Sequence, residues 1–571
     1  MQNKKLRPRL TSIVLLGALL ACQPAVGADT GTISVAVHEP GSQVPLPCRA
    51  WVTVAGKRLF NPAAESCTPY ARDRSFSCDG RFVIEVPLRQ ASFVGDGVAG
   101  LSGNAVVHIE RGKEYRPIDK EVVVQPNQTT NADITLERWV NMCREGWYSA
   151  DMHCHFGLGN LTVLKQLALA DDINFEPLST LWNHQRGNMS DESWPDWPAG
   201  ATVYADESHI VTFRNQEIER IGGEAFESTG ALLMFGLARP VQMPAGNDRY
   251  PCDAVLGRMA KESSPECVID TDKPIWGENV VGVAMGLFDS VQVCHNHYHR
   301  EATIPVGWGM AGADIEDGQK DLPAGRLAGW GQDELFHRTN STYYRFLNCG
   351  FRLAATGGSA MGVMPVPLGY SRTYARLDGP LTEAGYLAAI RTGRTFATSG
   401  PMLILTADGL DCGSEIRYLP NRGKPIAVKV ELRSIQPVDS LELIANGSVI
   451  KKIDLKNRAA SPVLAESVVL AFEPHRSGWI AARAIFTGPD GHLRQAHTSP
   501  VYITVDGKPA ASKTDAECMI RWIDRLLQVT DKPGRYKTSE ERSQVQALYQ
   551  QARQKYQDIA RQATEFWGEE L

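Results

Sequence analysis

The sequence predicts a multidomain protein: a central α/β layer or barrel, flanked by two β-sandwich-like modules and followed by a helical hairpin. Three observations predict it. The length of 571 residues corresponds to roughly four domains at about 150 residues each. Apolar and polar residues alternate at period two over 30–138 and again over 399–507, whereas 139–398 alternates short apolar runs with helical stretches and long Gly/Pro/Trp-rich loops. From 513 to 567 the apolar spacing becomes three and four, the period of a helix.

Composition excludes several classes. Apolar residues make up 43% and charged residues 22%, which fits a soluble globular chain and neither a disordered, a collagenous nor a polytopic membrane protein. Net charge is −6 and no Lys/Arg block occurs, so no nucleic-acid partner is expected.

Taken in order, residues 1–28 read as an export signal: Lys4, Lys5, Arg7 and Arg9 precede an apolar stretch over 13–21 that is shorter than the ~20 residues a bilayer span needs. Cleavage after Val26-Gly27-Ala28 fits this segment. So does a lipobox, Leu19-Leu20-Ala21-Cys22, which would lipidate Cys22. Either reading places the protein outside the cytoplasm (periplasm, outer-membrane lipoprotein or secreted), touching membrane only through a lipid anchor. An oxidising compartment permits disulfides, and Cys67/Cys78 and Cys252/Cys267 are the closest local pairs.

In the first β-module the strands fall at 32–37, 82–86 and 120–124. In the centre, the apolar runs 231–237 and 280–285 read as buried strands. The second β-module has its clearest strands at 426–432 and 501–505. In the tail, Thr514-x-x-Glu517 and Thr538-x-x-Glu541 have the capping-box pattern. Val545, Leu548, Ala552, Tyr556, Ile559, Ala563 and Phe566 then form one stripe, expected to pack on the protein's own surface.

The strongest chemical signal is Asp151-Met152-His153-Cys154-His155. On a strand, residues i and i+2 point the same way, so His153 and His155 offer two imidazoles to one side, as a metal site requires. Asp151 shares that face. A second cluster, His295, His297 and His299, follows an apparent strand, and Glu217 or Glu219 can complete a His/carboxylate set. Such a set suits Zn²⁺, Mn²⁺ or Fe²⁺, whose chemistry is the activation of water for hydrolysis. Cys154 as a nucleophile is disfavoured, because it points away from both histidines. No GxSxG, GxxxxGK[ST] or HExxH motif is present.

The string Gly146-Trp147-Tyr148-Ser149-Ala150-Asp151-Met152-His153-Cys154-His155 resembles the PHP superfamily, in particular its CehA/McbA-type (carbaryl-hydrolase-like) metallohydrolases. The resemblance covers roughly residues 100–410, from Glu110-Arg111-Gly112-Lys113 to Gly369-Tyr370-Ser371-Arg372-Thr373-Tyr374 and Arg391-Thr392-Gly393-Arg394. It implies a distorted (β/α)7 barrel over 139–398, with a metal centre at the C-terminal ends of its strands. It implies His153, His155, Glu217 and His297 as ligands of one divalent ion. The chain departs from the pattern at Gly358-Ser359-Ala360-Met361, where the superfamily has Asp-x-His after the Gly-Ser pair, and near Ala231, where a histidine is missing. His184 stands shifted from the usual Thr-Asp-His.

Two functions follow. One is an exported metal-dependent hydrolase of amide, carbamate, ester or phosphoester bonds in a small or polymer-derived substrate. Asp151, His184, His209 or His299 then act as base or support the ligands. The other is a non-catalytic ligand- or glycan-binding protein on a degenerate scaffold, using tryptophans such as Trp182, Trp194, Trp197, Trp308 and Trp330.

Overall fold

The computed structural model describes residues 30–63, 67–70, 73–88, 103–155, 161–183, 202–220, 230–242, 250–300, 332–420, 424–458, 462–531 and 535–568. The export segment, His184, Trp194, Trp197, Trp308 and Trp330 lie outside them, as does the side chain of Trp182.

The first β-module is a sandwich. Thr30–His38 alternates buried and part-exposed residues along its length and pairs with Arg81–Pro87 and Thr129–Thr135 in a three-stranded sheet. A six-stranded sheet centred on Cys48–Val54 and Gly103–Glu110 faces it. Ile33, Val35, Val52, Phe76, Ile84 and Val107 from the two sheets fill one core. No S–S bond joins Cys67 to Cys78 in this module or Cys252 to Cys267 in the centre, so neither expected disulfide is formed. Cys78 is shared: it stands opposite both Cys48 and Cys67 in strand register, with Cys48 Sγ 3.6 Å away.

A large mixed sheet forms the middle of the molecule. Its order begins at Ala354–Gly357 and runs through Ser290–Cys294, Val268–Asp270, Gly230–Phe235, Ile210–Arg220 and Phe175–Asn183 to Trp147–Ala150. The sheet curls, so the two ends of this seven-strand run meet: Met152 N–H donates to Gly357 O at 3.2 Å, and Cys154 bridges to Met361. Gly230–Phe235 runs antiparallel to both neighbours, so the run is not a uniform parallel succession. Helices Leu161–Ala170, Asp253–Ser263, Asn279–Ala284, Gln332–Asn348 and Glu383–Arg391 connect its strands.

The 280–285 run, expected as a strand, is the helix Asn279–Ala284. An all-apolar run of this length has no period to distinguish the two. Burial on every side decides it here: Phe288 packs against Gly282, where a Cβ would meet the ring at 2.0 Å, and Tyr556 of the tail donates to Val280 O at 3.0 Å.

Beyond Trp147–Ala150 the sheet continues through Arg372–Arg376 and Thr395–Thr398 into Leu493–Thr498, Gly478–Thr487 and Ser440–Ala445. The second β-module therefore shares a sheet with the centre. Its other layer, four strands centred on Met402–Ala407 and Ile426–Ser434, closes the core of Leu403, Val428, Val430, Leu443, Ile480 and Ala482.

The tail is a helix pair, Lys513–Thr530 and Ser539–Trp567. Thr538 caps the second helix by accepting from Glu541 N at 3.2 Å, and the Glu541 carboxylate returns to Lys537 N at 2.8 Å. The first helix is capped by Ser512, which accepts from Asp515 N, and not by Thr514. Ser512 wins because it is the last residue with extended backbone before the helix (φ −127°, ψ 121°). The stripe from Val545 to Ala563 is buried against the body of the protein, with Phe566 at its margin.

Candidate metal centre

Three side chains meet at the rim of the curled sheet. His153 Nε2 lies 3.0 Å from His155 Nε2. Glu217 Oε2 lies 2.8 Å from His155 Nε2 and 3.5 Å from His153 Nε2. One donor atom from each residue falls within 4.8 Å of the others, and the group is one that could hold a metal ion. The crowding is informative. Two imidazole nitrogens and a carboxylate oxygen converge, and the Glu217 Oε2 contacts lack hydrogen-bond geometry. Converging lone pairs repel unless a cation or proton lies among them.

The local chain is shaped for this. Past Trp147–Ala150 the backbone stays extended, and His155 pairs with Ser179 of the neighbouring strand. Asp151, expected as a base or as support for the ligands, is a buried brace: its carboxylate accepts from the backbone N–H of His153 (3.0 Å), Ser359 (2.8 Å) and Gly369 (2.8 Å). Gly358 and Gly362 let the adjoining segment lie flat against the histidines. A Cβ on Gly358 would meet His153 Cβ at 2.4 Å, and one on Gly362 would meet His155 O at 2.1 Å. The Gly358-Ser359-Ala360-Met361 segment thus supports the His-x-His pair through its backbone and brings no ligand of its own.

Glu217 arrives from across the sheet. It lies late in Ile210–Arg220, where Trp182 of one neighbouring strand and Leu233 of the other stand opposite it. Period two puts Glu219 on the same face.

Sequence reasoning missed Asp272, which follows Val268–Asp270. Its Oδ1 lies 3.1 Å from His153 Nδ1, the nitrogen pointing away from the cluster. Its Oδ2 accepts from Trp276 Nε1 at 3.1 Å and pairs with the buried Lys273. The contact is one of charge, without hydrogen-bond geometry, and a carboxylate behind a histidine orients the ring and raises its basicity. No local pattern marks Asp272; its backbone is left-handed (φ 51°), which turns it back toward His153.

The electrostatics follow from burial and proximity. Burial disfavours the charged form of the His153 ring, but Glu217 and Asp272 beside it raise its pKa to about 10. Burial works against the Glu217 carboxylate, yet His155 and His153 hold it down at about 2. Glu219 moves the other way: burial and the charge of Glu217 push it to about 8.

The remaining expected site residues are elsewhere. His297 follows Ser290–Cys294 on the same rim but is not part of the three-residue group. Its ring lies edge-on to that of His295 with the centres 5.6 Å apart, and His295 Nε2 bonds Thr339 Oγ1 at 3.1 Å, under the helix Gln332–Asn348. Burial, with Lys273 nearby, keeps the His297 ring neutral. His299 is held by its backbone, its carbonyl accepting from Arg494 at 2.7 Å, and burial lowers its ring to about 4. His209 precedes the strand that carries Glu217, so it stands about 25 Å from that carboxylate. There its ring lies 3.1 Å from Asp206 and 3.5 Å from Asp172. Cys154 faces the opposite side from the two histidines, and burial with the nearby Glu176 pushes its thiol well up, against a nucleophilic role.

No protein-family model, curated protein or solved structure matches the chain. The geometry of the site stands alone as the ground for function.

Proposed function

We propose that the protein is a metal-dependent hydrolase of the PHP type, acting outside the cytoplasm on an amide, carbamate, ester or phosphoester bond. The observation that carries this is the convergence of His153 Nε2, His155 Nε2 and Glu217 Oε2 within 4.8 Å. Three protein donors are the number that catalytic sites use when one position is kept for water or substrate, whereas structural zinc sites close with four. The donor set of two imidazoles and a carboxylate suits one Zn²⁺, Mn²⁺ or Fe²⁺. Bound there, such an ion supplies Lewis acidity, which acidifies water and polarises a carbonyl or phosphoryl oxygen. The chain's own residues do the rest. Asp272 orients His153 through its charge, Asp151 and Gly358 fix the backbone, and Glu219, on the ligand face, is the carboxylate placed to handle a proton. His297 serves as a neutral wall beside Lys273 and not as a fourth ligand.

Glycan binding on tryptophans gains no support, since the indoles that suggested it lie outside the described residues.

The test is metal analysis of the purified full-length chain, as isolated and after reconstitution with Zn²⁺, Mn²⁺ and Fe²⁺, alongside a panel of ester, amide, carbamate and phosphoester substrates. One equivalent of metal and chelator-sensitive turnover are expected, both lost in His155→Ala. Less than stoichiometric metal after reconstitution would overturn the proposal.

A further inference from the structure

We propose that the chain carries a second ligand site: a cavity that binds small organic molecules through a phosphate-like dianionic headgroup held by Lys113 and Arg372. The cavity has a volume of about 550 Å³ and lies where the first β-module, the central sheet and the second β-module meet. None of His153, His155, Glu217 or Asp272 lines it. The two cations come from Glu110-Arg111-Gly112-Lys113 and Gly369-Tyr370-Ser371-Arg372, strings that the metal centre does not use as ligands.

Other cations around the cavity already have a carboxylate partner. Arg49 pairs with Asp171 at 3.0 Å and with Glu110 at 2.6 Å. Arg300 pairs with Glu110 at 3.0 Å, and Arg111 with Asp172 at 2.7 Å. Among the described residues no carboxylate comes within ion-pair distance of Lys113 or Arg372. Lys113 Nζ donates to Ser399 O at 2.7 Å and lies 4.3 Å from the centre of the Tyr370 ring. Arg372 is 1% exposed; it donates from Nε to Gly369 O at 2.7 Å and from Nη2 to Asp171 O at 3.3 Å. Its Nη1 is buried with no hydrogen-bond partner.

A buried guanidinium and a neighbouring ammonium with no carboxylate in direct contact are costly, and the acids that line the cavity beside them, Glu110 and Asp171, are already engaged by Arg49. The cost shows on Lys113, whose ammonium is disfavoured by burial and by Arg372. The backbone is nevertheless fitted around Arg372. Gly112 (φ +54°) and Gly369 (φ +67°) are both left-handed, and a Cβ on them would come within 3.2 Å of Nη1 and 2.6 Å of Nη2. A group kept in place at this expense, with one N–H unused, fits an absent anion. An oxyanion bridging Nη1 and Nζ would neutralise both cations through charge-assisted hydrogen bonds.

The volume indicates more than a bare oxyanion, since pockets of this size take drug-sized ligands. Leu368, Tyr370 and Phe486 supply an apolar wall for an organic body.

The experiment uses the full chain, stripped of metal and then freed of chelator, because phosphate binds metals and a chelator is itself a polyanion. Calorimetric titrations compare phenylphosphonate, inorganic phosphate, benzyl alcohol and chloride at matched ionic strength. Saturable phenylphosphonate binding, tighter than that of inorganic phosphate, is expected, with no binding of benzyl alcohol. Lys113→Met should weaken phenylphosphonate binding about tenfold or more, the effect of losing one charged hydrogen bond. His153→Ala should leave it unchanged, so this site and the metal centre fail or stand separately. Absence of saturable binding, equal response to chloride, or wild-type affinity in Lys113→Met would overturn the proposal. Equal affinity for phosphate and phenylphosphonate would overturn its organic portion.

Discussion

Asp272→Asn separates support of the metal from support of the fold. The carboxylate touches three groups: His153 Nδ1 at 3.1 Å, Trp276 Nε1 at 3.1 Å and the Lys273 ammonium. Asparagine keeps the shape but removes the charge. For the metal, losing a carboxylate behind a ligating histidine costs about 10–100-fold in affinity, or roughly 1.4–2.7 kcal/mol. For the fold, the larger effect is on Lys273. Its side chain is 3% exposed and that of Asp272 2%, so the substitution strands a buried cation. Breaking such a pair costs about 3–5 kcal/mol, or forces the lysine to release its proton. Asp272→Asn should therefore lose stability by more than it loses metal-binding free energy. Adding Lys273→Met removes the stranded charge, and the double variant should regain most of the stability while metal binding stays weakened. Competition titration with a chromogenic chelator measures the metal, and urea unfolding of the metal-free protein measures the fold. Wild-type metal affinity in Asp272→Asn would refute the role assigned to this carboxylate. Affinity restored in the double variant would show that the loss ran through folding and not through His153.

A second prediction concerns pH. His497 accepts from Tyr344 Oη at 2.7 Å and bonds Thr498 O at 2.7 Å, and burial with Arg483 nearby lowers its pKa from 6.5 to about 3. The unfolded chain takes up this proton first, so the contribution is intact above pH 6.5 and is lost as pH falls toward 3, about 2 kcal/mol of it by pH 5. His497→Gln should flatten the pH dependence of unfolding free energy between pH 7 and 5 by that amount; an unchanged slope would contradict it. Third, Gly358→Ala places a Cβ 2.4 Å from His153 Cβ and 2.7 Å from its amide nitrogen. It should cost about 1–3 kcal/mol in unfolding free energy and also lower metal occupancy, whereas Gly379→Ala, with nothing within 4 Å, should leave occupancy unchanged.

The local patterns were legible in the sequence. Period two marked the strands of both β-modules, spacing of three and four marked the tail stripe, and His153 with His155 declared themselves because i and i+2 share a face wherever the chain is extended. Export signal and family resemblance likewise come from the sequence alone and remain proposals. The packing of strands was not legible. Period alone left Glu217 and Glu219 equivalent and only the family resemblance pointed to Glu217; sheet register put the Glu217 oxygen 2.8 Å from His155. The family resemblance put His297 among the ligands, yet its ring lies edge-on to His295 and outside the group of three. Asp272 carried no signal, and Lys113 and Arg372 stood only within the strings of the resemblance with no role attached, since each acquires meaning only from a partner more than a hundred residues away or from the absence of one. The 280–285 run shows the same limit: six neighbouring residues fix its hydrophobicity, but the tail helix that covers it decides its shape. Periodicity records which face of an element is buried. Which faces meet depends on register and on loop packing, and those are set by the whole chain.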